Sequence, residues 1–70
     1  MPSSDDLRRF TGQRVALELT PAGGGGTVKG LIVGTLDAAD GLVVIVKPDG
    51  QTGRVSLNYQ HVNEVRLSQA

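Results

Sequence analysis

Two runs of β-forming residues decide the fold: Thr27-Val28-Lys29-Gly30-Leu31-Ile32-Val33-Gly34-Thr35-Leu36-Asp37 and Gly41-Leu42-Val43-Val44-Ile45-Val46-Lys47. Between them, residues 37–41 (Asp37, Ala38, Ala39, Asp40, Gly41) make a tight turn, because aspartate caps a turn with its side chain and glycine accepts backbone angles closed to other residues. In the first run Val28, Gly30, Ile32 and Gly34 share one face, and Lys29, Leu31, Val33 and Thr35 share the other. Glycines inside a strand mark sharp bending or close backbone approach, as needed where a small sheet curls onto itself. The second run is apolar on both faces, so neither side of that strand is expected to meet much water.

Outward from this hairpin the same grammar continues. Val15, Leu17 and Leu19 alternate with Arg14, Ala16 and Glu18, the mark of a strand with one core face. The stretch 21–26, Pro-Ala followed by four glycines, reads as a flexible hairpin loop. Before the first strand, Ser3-Ser4-Asp5-Asp6 leads into Leu7-Arg8-Arg9-Phe10, a helix start over 4–11 with a capping serine and two aspartates at the positive end of the helix dipole. Leu7 and Phe10 share a face, and so short a helix holds only by docking that face on one end of a barrel. After the hairpin, Pro48-Asp49-Gly50 is a turn, Val55 and Leu57 form a short strand, and Asn58-Tyr59-Gln60-His61 suits one helical turn. Val62, Val65 and Leu67 close the barrel, the broken alternation between the two valines calling for a bulge.

The reading is therefore all-β: five strands at 13–20, 27–37, 41–47, 52–57 and 62–67, in one strongly bent antiparallel barrel with a short N-terminal α-helix. With 70 residues there is one domain, and a domain this small buries only about 60% of the surface its unfolded chain exposes. Cysteine is absent and histidine single, so neither a disulfide nor a structural zinc site can staple the fold, and tight packing or self-association must do so. Seven basic and seven acidic residues balance, which argues against a monomer that grips nucleic acid by charge alone. No apolar run reaches the roughly 18–20 residues of a membrane span, and a signal-peptide core is lacking; a soluble cytoplasmic protein is expected, with no membrane partner.

A small barrel needs about one core face, and this chain offers more. The surplus on Leu31, Val33, Val43 and Ile45 is either covered by the helix and the long loop or forms an interface with another copy. Adding the two last strands, the residues expected at an oligomer interface are Leu31, Val33, Val43, Ile45, Val55, Leu57, Val62 and Val65.

Gly12 with Val15, Leu17 and Leu19, then Gly30-Leu31-Ile32-Val33-Gly34, then Asp37 with Gly41-Leu42-Val43-Val44 together resemble the Sm-like family over about residues 4–67. Tyr59-Gln60-His61-Val62 is similar to the Tyr-Lys-His segment of the Hfq branch. The resemblance implies an SH3-like barrel that forms homo-oligomeric rings, the fourth strand of one subunit pairing with the fifth of the next, and that binds single-stranded RNA on loops at the pore and rims. The chain departs from that pattern at defined places. Leu36 stands where Sm proteins carry an aspartate and Gly41 where they carry the base-reading asparagine; Ala38 and Ala39 replace a Gln-Phe pair, and Gln60 replaces the lysine. Arg9-Phe10, Gly12-Gln13-Arg14-Val15 and the valine-rich last strand are also similar to the C-terminal barrel of the ribosome maturation factor RimP family, which carries a second domain in addition.

Each candidate site has a plain structural counterpart. The glycines at 23–26 lead into a strand rather than a helix, so they read as a hairpin loop and not as a phosphate cradle. Asp37 and Asp40 suit turn capping better than cation binding, for which two carboxylates are too few. Tyr59 and His61 either contact a base or phosphate at a subunit junction or pack on the barrel rim. Arg8, Arg9 and Arg14 either form a basic rim that touches phosphate or pair with Asp5, Asp6 and Glu18; Arg54 and Arg66 are open in the same way. The expected RNA-binding set is Arg8, Arg9, Asp37, Tyr59 and His61. No serine, acid or second histidine stands where His61 could drive nucleophilic chemistry, so no catalytic site, metal or cofactor is expected. A non-catalytic binding module follows, with RNA as its first ligand; the alternative is a protein-interaction or structural assembly module without nucleic acid.

Overall fold

The computed structural model describes residues 3–68. One helix, α1 (Ser4–Arg9), precedes five strands: β1 (Arg14–Leu19), β2 (Thr27–Ala38), β3 (Gly41–Pro48), β4 (Val55–Asn58) and β5 (Val62–Leu67). Two 3-10 turns, Pro21–Gly23 and Tyr59–His61, join β1 to β2 and β4 to β5. The strands make one antiparallel sheet in the order β4-β3-β2-β1-β5. The all-β class, the helix and the five strands agree with the sequence reading. The fourth strand is shorter at its start than expected, because residues 51–54 are used to cross from the 49–50 turn back to β3, which offers β4 only Val43, Val44, Ile45 and Val46 as partners.

The sheet is open, whereas a barrel closed by the last strand was expected. The topology explains the difference. Every neighbouring pair is antiparallel, so β4 and β5 run in the same direction at opposite edges. Pairing them within the chain would make a parallel ladder, which takes a crossover of about a dozen residues or more. The link here is the three-residue turn Tyr59–His61, which carries the chain head-to-tail from one edge to the other.

The core consists of Leu7, Val15, Leu17, Ile32, Leu42, Val44, Val46 and Val62, all essentially inaccessible to solvent. Leu7 is the helix's contribution, and Phe10 packs half-buried against the same cluster. Ser3 caps the helix: its hydroxyl accepts from the Asp6 amide at 3.2 Å, while the Asp6 carboxylate accepts from the Ser3 amide at 3.3 Å. The helix is six residues, shorter than the 4–11 expected, since Phe10 already serves as its C-cap.

Two bulges decide which residues face inward. On β5 the register steps from Glu18↔Glu64 to Leu19↔Val62, leaving Asn63 unopposed, so the bulge lies between Val62 and Val65 where the sequence called for it. On β2, Ile32 faces Val46 but Gly34 faces Ile45, so Val33 is the extra residue. Beyond it the faces exchange: Thr35 sits opposite the buried Val44 and Asp37 opposite the buried Leu42. Simple alternation across 27–37 had put Thr35 with Leu31 on the other face. Gly30 marks a close approach, since a Cβ there would lie 2.3 Å from the Lys47 carbonyl oxygen; at Gly34 nothing lies within 4 Å. β3 is buried on one face only, through Leu42, Val44 and Val46, with Val43 and Ile45 half-exposed on the other.

Candidate functional site

The turn between β2 and β3 is tied to the Tyr59–His61 turn and to α1, and this is where most of the expected RNA-contacting residues fall. Asn58 caps the second turn by accepting from the Gln60 amide at 2.9 Å, and its own amide donates to the Asp40 carboxylate at 3.0 Å. The Gln60 side chain donates to the Asp40 carbonyl at 3.3 Å. The Tyr59 ring lies against the Gly41 backbone so closely that a Cβ at Gly41 would come 2.3 Å from its Cε1. Gly41 also has φ +125, so glycine is required there twice over. From the other side the Arg8 guanidinium pairs with the Asp37 carboxylate. Asp37 is 82% exposed, and such a pair contributes little to stability in water.

Three of the five expected residues, Arg8, Asp37 and Tyr59, therefore gather around one turn. The other two lie elsewhere. Arg9 lines a groove of about 580 Å³ between α1 and β5, with Asp6, Phe10, Gln13, Asn63 and Val65. His61 is half-buried beside the Pro21–Gly23 turn: a Cβ at Gly23 would lie 2.6 Å from His61 Cβ, and the Thr20 amide donates to the His61 carbonyl at 2.9 Å. Thr20 caps that turn, its hydroxyl accepting from the Gly23 amide at 3.2 Å. The first half of the glycine-rich segment is thus docked on the Tyr59–His61 turn, and only Gly24, Gly25 and Gly26 have open space around their Cα atoms.

Sequence reasoning left Asp40, Asn58 and Gln60 out of the site, although they supply its hydrogen bonds. Asn58 carried a readable signal, an Asx residue directly before a helical turn; the reach to Asp40 is a tertiary contact without a local mark.

The expected interface residues divide into three groups. Leu31, Val43 and Ile45 lie half-exposed on the outer face of the sheet, with Val33 half-exposed at the bulge. Val55, Leu57 and Val65 belong to the two unpaired edge strands; they pack against the core yet remain half-exposed. Val62 is a correction: it is fully buried within the chain, because the bulge at Asn63 turns it inward, and its side chain has no surface to offer a partner. Leu67, opposite Val15 on the core face, is 56% exposed.

The outer face carries mixed charge. Arg14 pairs with Asp49 at 2.8 Å and Arg66 with Glu64 at 3.0 Å. The Arg66 guanidinium, by hydrogen bond and by charge, holds the Glu64 carboxyl below its ordinary value and is itself shifted upward in return. Among the described residues no three of His, Cys, Asp and Glu cluster as metal ligands would, and no helix is long and apolar enough to cross a membrane.

Comparison with protein families, with curated proteins and with solved structures gives no match.

Proposed function

We propose that this chain is a non-catalytic module of Sm-like type that assembles with itself, β4 of one copy meeting β5 of the next, so that the barrel wall is completed around a homo-oligomeric ring of about five to seven subunits. One observation carries the reading: both sheet edges are open, and the core-facing side chains on them, Val55, Leu57, Val65 and Leu67, are incompletely shielded. Open edges with apolar side chains are a template for further strands, and a domain of this size has few other ways to bury more surface. The cysteine-free composition suits a cytoplasmic setting. Light scattering or sedimentation at tens of micromolar tests the reading. A mass several times 7.3 kDa is expected; a monomer at that concentration refutes it.

A second reading, single-stranded RNA binding, is supported by the gathering of Arg8, Asp37 and Tyr59 around one turn, with Asn58 and Gln60 beside them. In a ring this turn would be repeated in every subunit, and base stacking on an aromatic is worth about 1–3 kcal/mol. Fluorescence anisotropy with U-rich and A-rich oligonucleotides at low salt is the test, where phosphate contacts are strongest. Binding weakened by Tyr59→Ala supports RNA; no binding by an assembled ring leaves a structural or protein-interaction module.

A further inference from the structure

We infer that the turn Asp49-Gly50 is a covalent modification site, at which the folded chain forms isoaspartate, and that tertiary contacts protect Asp40-Gly41 from the same reaction. The aspartate-glycine pair occurs at these two places in the chain. Residue type alone makes them equivalent; the fold does not.

The reaction needs only water. The glycine amide nitrogen loses its proton and attacks Cγ of the preceding carboxyl group. An N–Cγ bond forms, a Cγ–O bond breaks and a water leaves, closing a cyclic succinimide. Water then adds to one of the two ring carbonyls. Breaking the N–Cγ bond restores aspartate; breaking the bond from nitrogen to the main-chain carbonyl carbon gives isoaspartate, whose chain runs through Cβ and Cγ. Nothing is oxidised or reduced, and the mass returns to that of the parent. Glycine favours the attack because no Cβ crowds the nitrogen. The fold can oppose it in two ways, by holding the carboxyl group away or by preventing the peptide unit between the two residues from turning.

Both are in force at Asp40-Gly41. The Asp40 carboxylate accepts from the Asn58 amide at 3.0 Å. The Asp40 carbonyl, part of the peptide unit that must turn, accepts from the Gln60 side chain at 3.3 Å. Gly41 is paired with Ala38 at the start of the β2–β3 ladder, and the Tyr59 ring lies against its Cα. Cyclisation there requires the hairpin tip and the Tyr59–His61 turn to open together, a local unfolding.

Asp49-Gly50 is held far less. Both residues are exposed in a turn outside the strands. Nothing lies within 4 Å of where a Gly50 Cβ would stand, and among the described residues the Gly50 amide donates no backbone hydrogen bond. The Asp49 amide donates to the Lys29 carbonyl at 2.9 Å, but it precedes the bond that rotates and can stay in place. The Gln51 amide to Pro48 carbonyl bond, 3.2 Å long, is the one that spans the moving peptide. The Asp49 carboxylate pairs with Arg14 at 2.8 Å, both side chains about half in water, and exposed pairs open at small cost.

Isoaspartate at 49 would place an extra carbon in the main chain and leave the free carboxylate on Cα. Arg14 then loses its partner's position, and the turn that leads from β3 toward β4 lengthens beside the groove lined by Val28, Lys29, Pro48 and Val55. The new α-carboxylate is also the group that carboxyl methyltransferases specific for isoaspartate esterify, so such an enzyme serves as the probe.

The full chain is aged at neutral pH, one sample folded and one in denaturing urea. Isoaspartate is then read peptide by peptide, through methyl transfer from S-adenosylmethionine by an isoaspartyl methyltransferase. In the folded sample isoaspartate is expected to accumulate at position 49 at least about tenfold faster than at position 40, a barrier difference of about 1.4 kcal/mol. In urea the two rates are expected to converge. Equal rates in the folded sample, a faster rate at 40, or no isoaspartate at 49 in the folded sample overturns the inference. A difference that persists unchanged in urea overturns it too, since flanking sequence and not the fold would then set the rates.

Discussion

Replacing Gly30 by alanine tests how tightly β2 and β3 are pressed together. The added methyl would lie 2.3 Å from the Lys47 carbonyl oxygen and 2.8 Å from Pro48 Cα. Carbon reaches comfortable contact only at roughly 3.5 Å, so the Lys47 carbonyl must retreat by about 1 Å. Both obstacles are backbone atoms of a strand in register with β2, Gly30 facing Pro48 and Leu31 facing Lys47; no rotamer change relieves them. Overpacking of this kind costs about 1–3 kcal/mol, and straining the local ladder hydrogen bond adds about 1 kcal/mol. A loss near 3 kcal/mol is large against the roughly 3.5–10 kcal/mol available to a chain of this length. At about 4–8 °C per kcal/mol, Tm falls by roughly 12–24 °C. Gly34→Ala is the matched control: it lies in the same strand, φ there is unexceptional, and nothing is within 4 Å of the new Cβ. Reduced freedom of the unfolded chain then stabilises by about 0.4–1 kcal/mol. Thermal melts followed by circular dichroism, at one fixed concentration because self-association shifts Tm, compare the two. A Gly30→Ala protein melting within about 3 °C of the parent, or no lower than Gly34→Ala, refutes the close-approach argument.

Leu7→Ala removes the helix's only buried side chain and is expected to cost about 2–5 kcal/mol, read as a lower urea midpoint at an unchanged m-value. Arg8→Ala breaks an ion pair whose carboxylate is mostly in water; a loss under about 1 kcal/mol is expected, and a larger one in the same urea titration contradicts a surface role. Because Arg66 lowers the Glu64 pKa in the fold, the associated stabilisation is complete above the ordinary value of 4.5 and is lost as pH falls through the lower folded midpoint. An NMR titration is expected to find the Glu64 midpoint below 4.5 in the parent chain and back at its ordinary value in Arg66→Ala.

Much of the architecture was legible along the chain because its causes are local. Strand alternation in 14–19, the β-branched run at 42–46, the turn chemistry around Asp40-Gly41 and Asp49-Gly50, and the serine cap before Asp5-Asp6 each act within a few residues. They were enough for the element order, the all-β class, most of the core and even the bulge between Val62 and Val65. The candidate site was legible in part. Tyr59 and Asp37 stood out by residue type, but their meeting around Gly41 depends on a chain reversal and on Asn58 reaching Asp40 across eighteen positions.

What only the tertiary structure decided was inwardness and closure. Residue type cannot reveal the bulge at Val33, since valine suits either face of a strand; yet that one extra residue turns Thr35 and Asp37 toward the core side. Nor does the spacing of five strands say whether the sheet closes. That follows from direction: with every neighbour antiparallel, β4 and β5 run the same way, and a three-residue link cannot bring them into one ladder. The chain by itself determined five strands and a helix. Their order in the sheet determined that two edges stay unpaired.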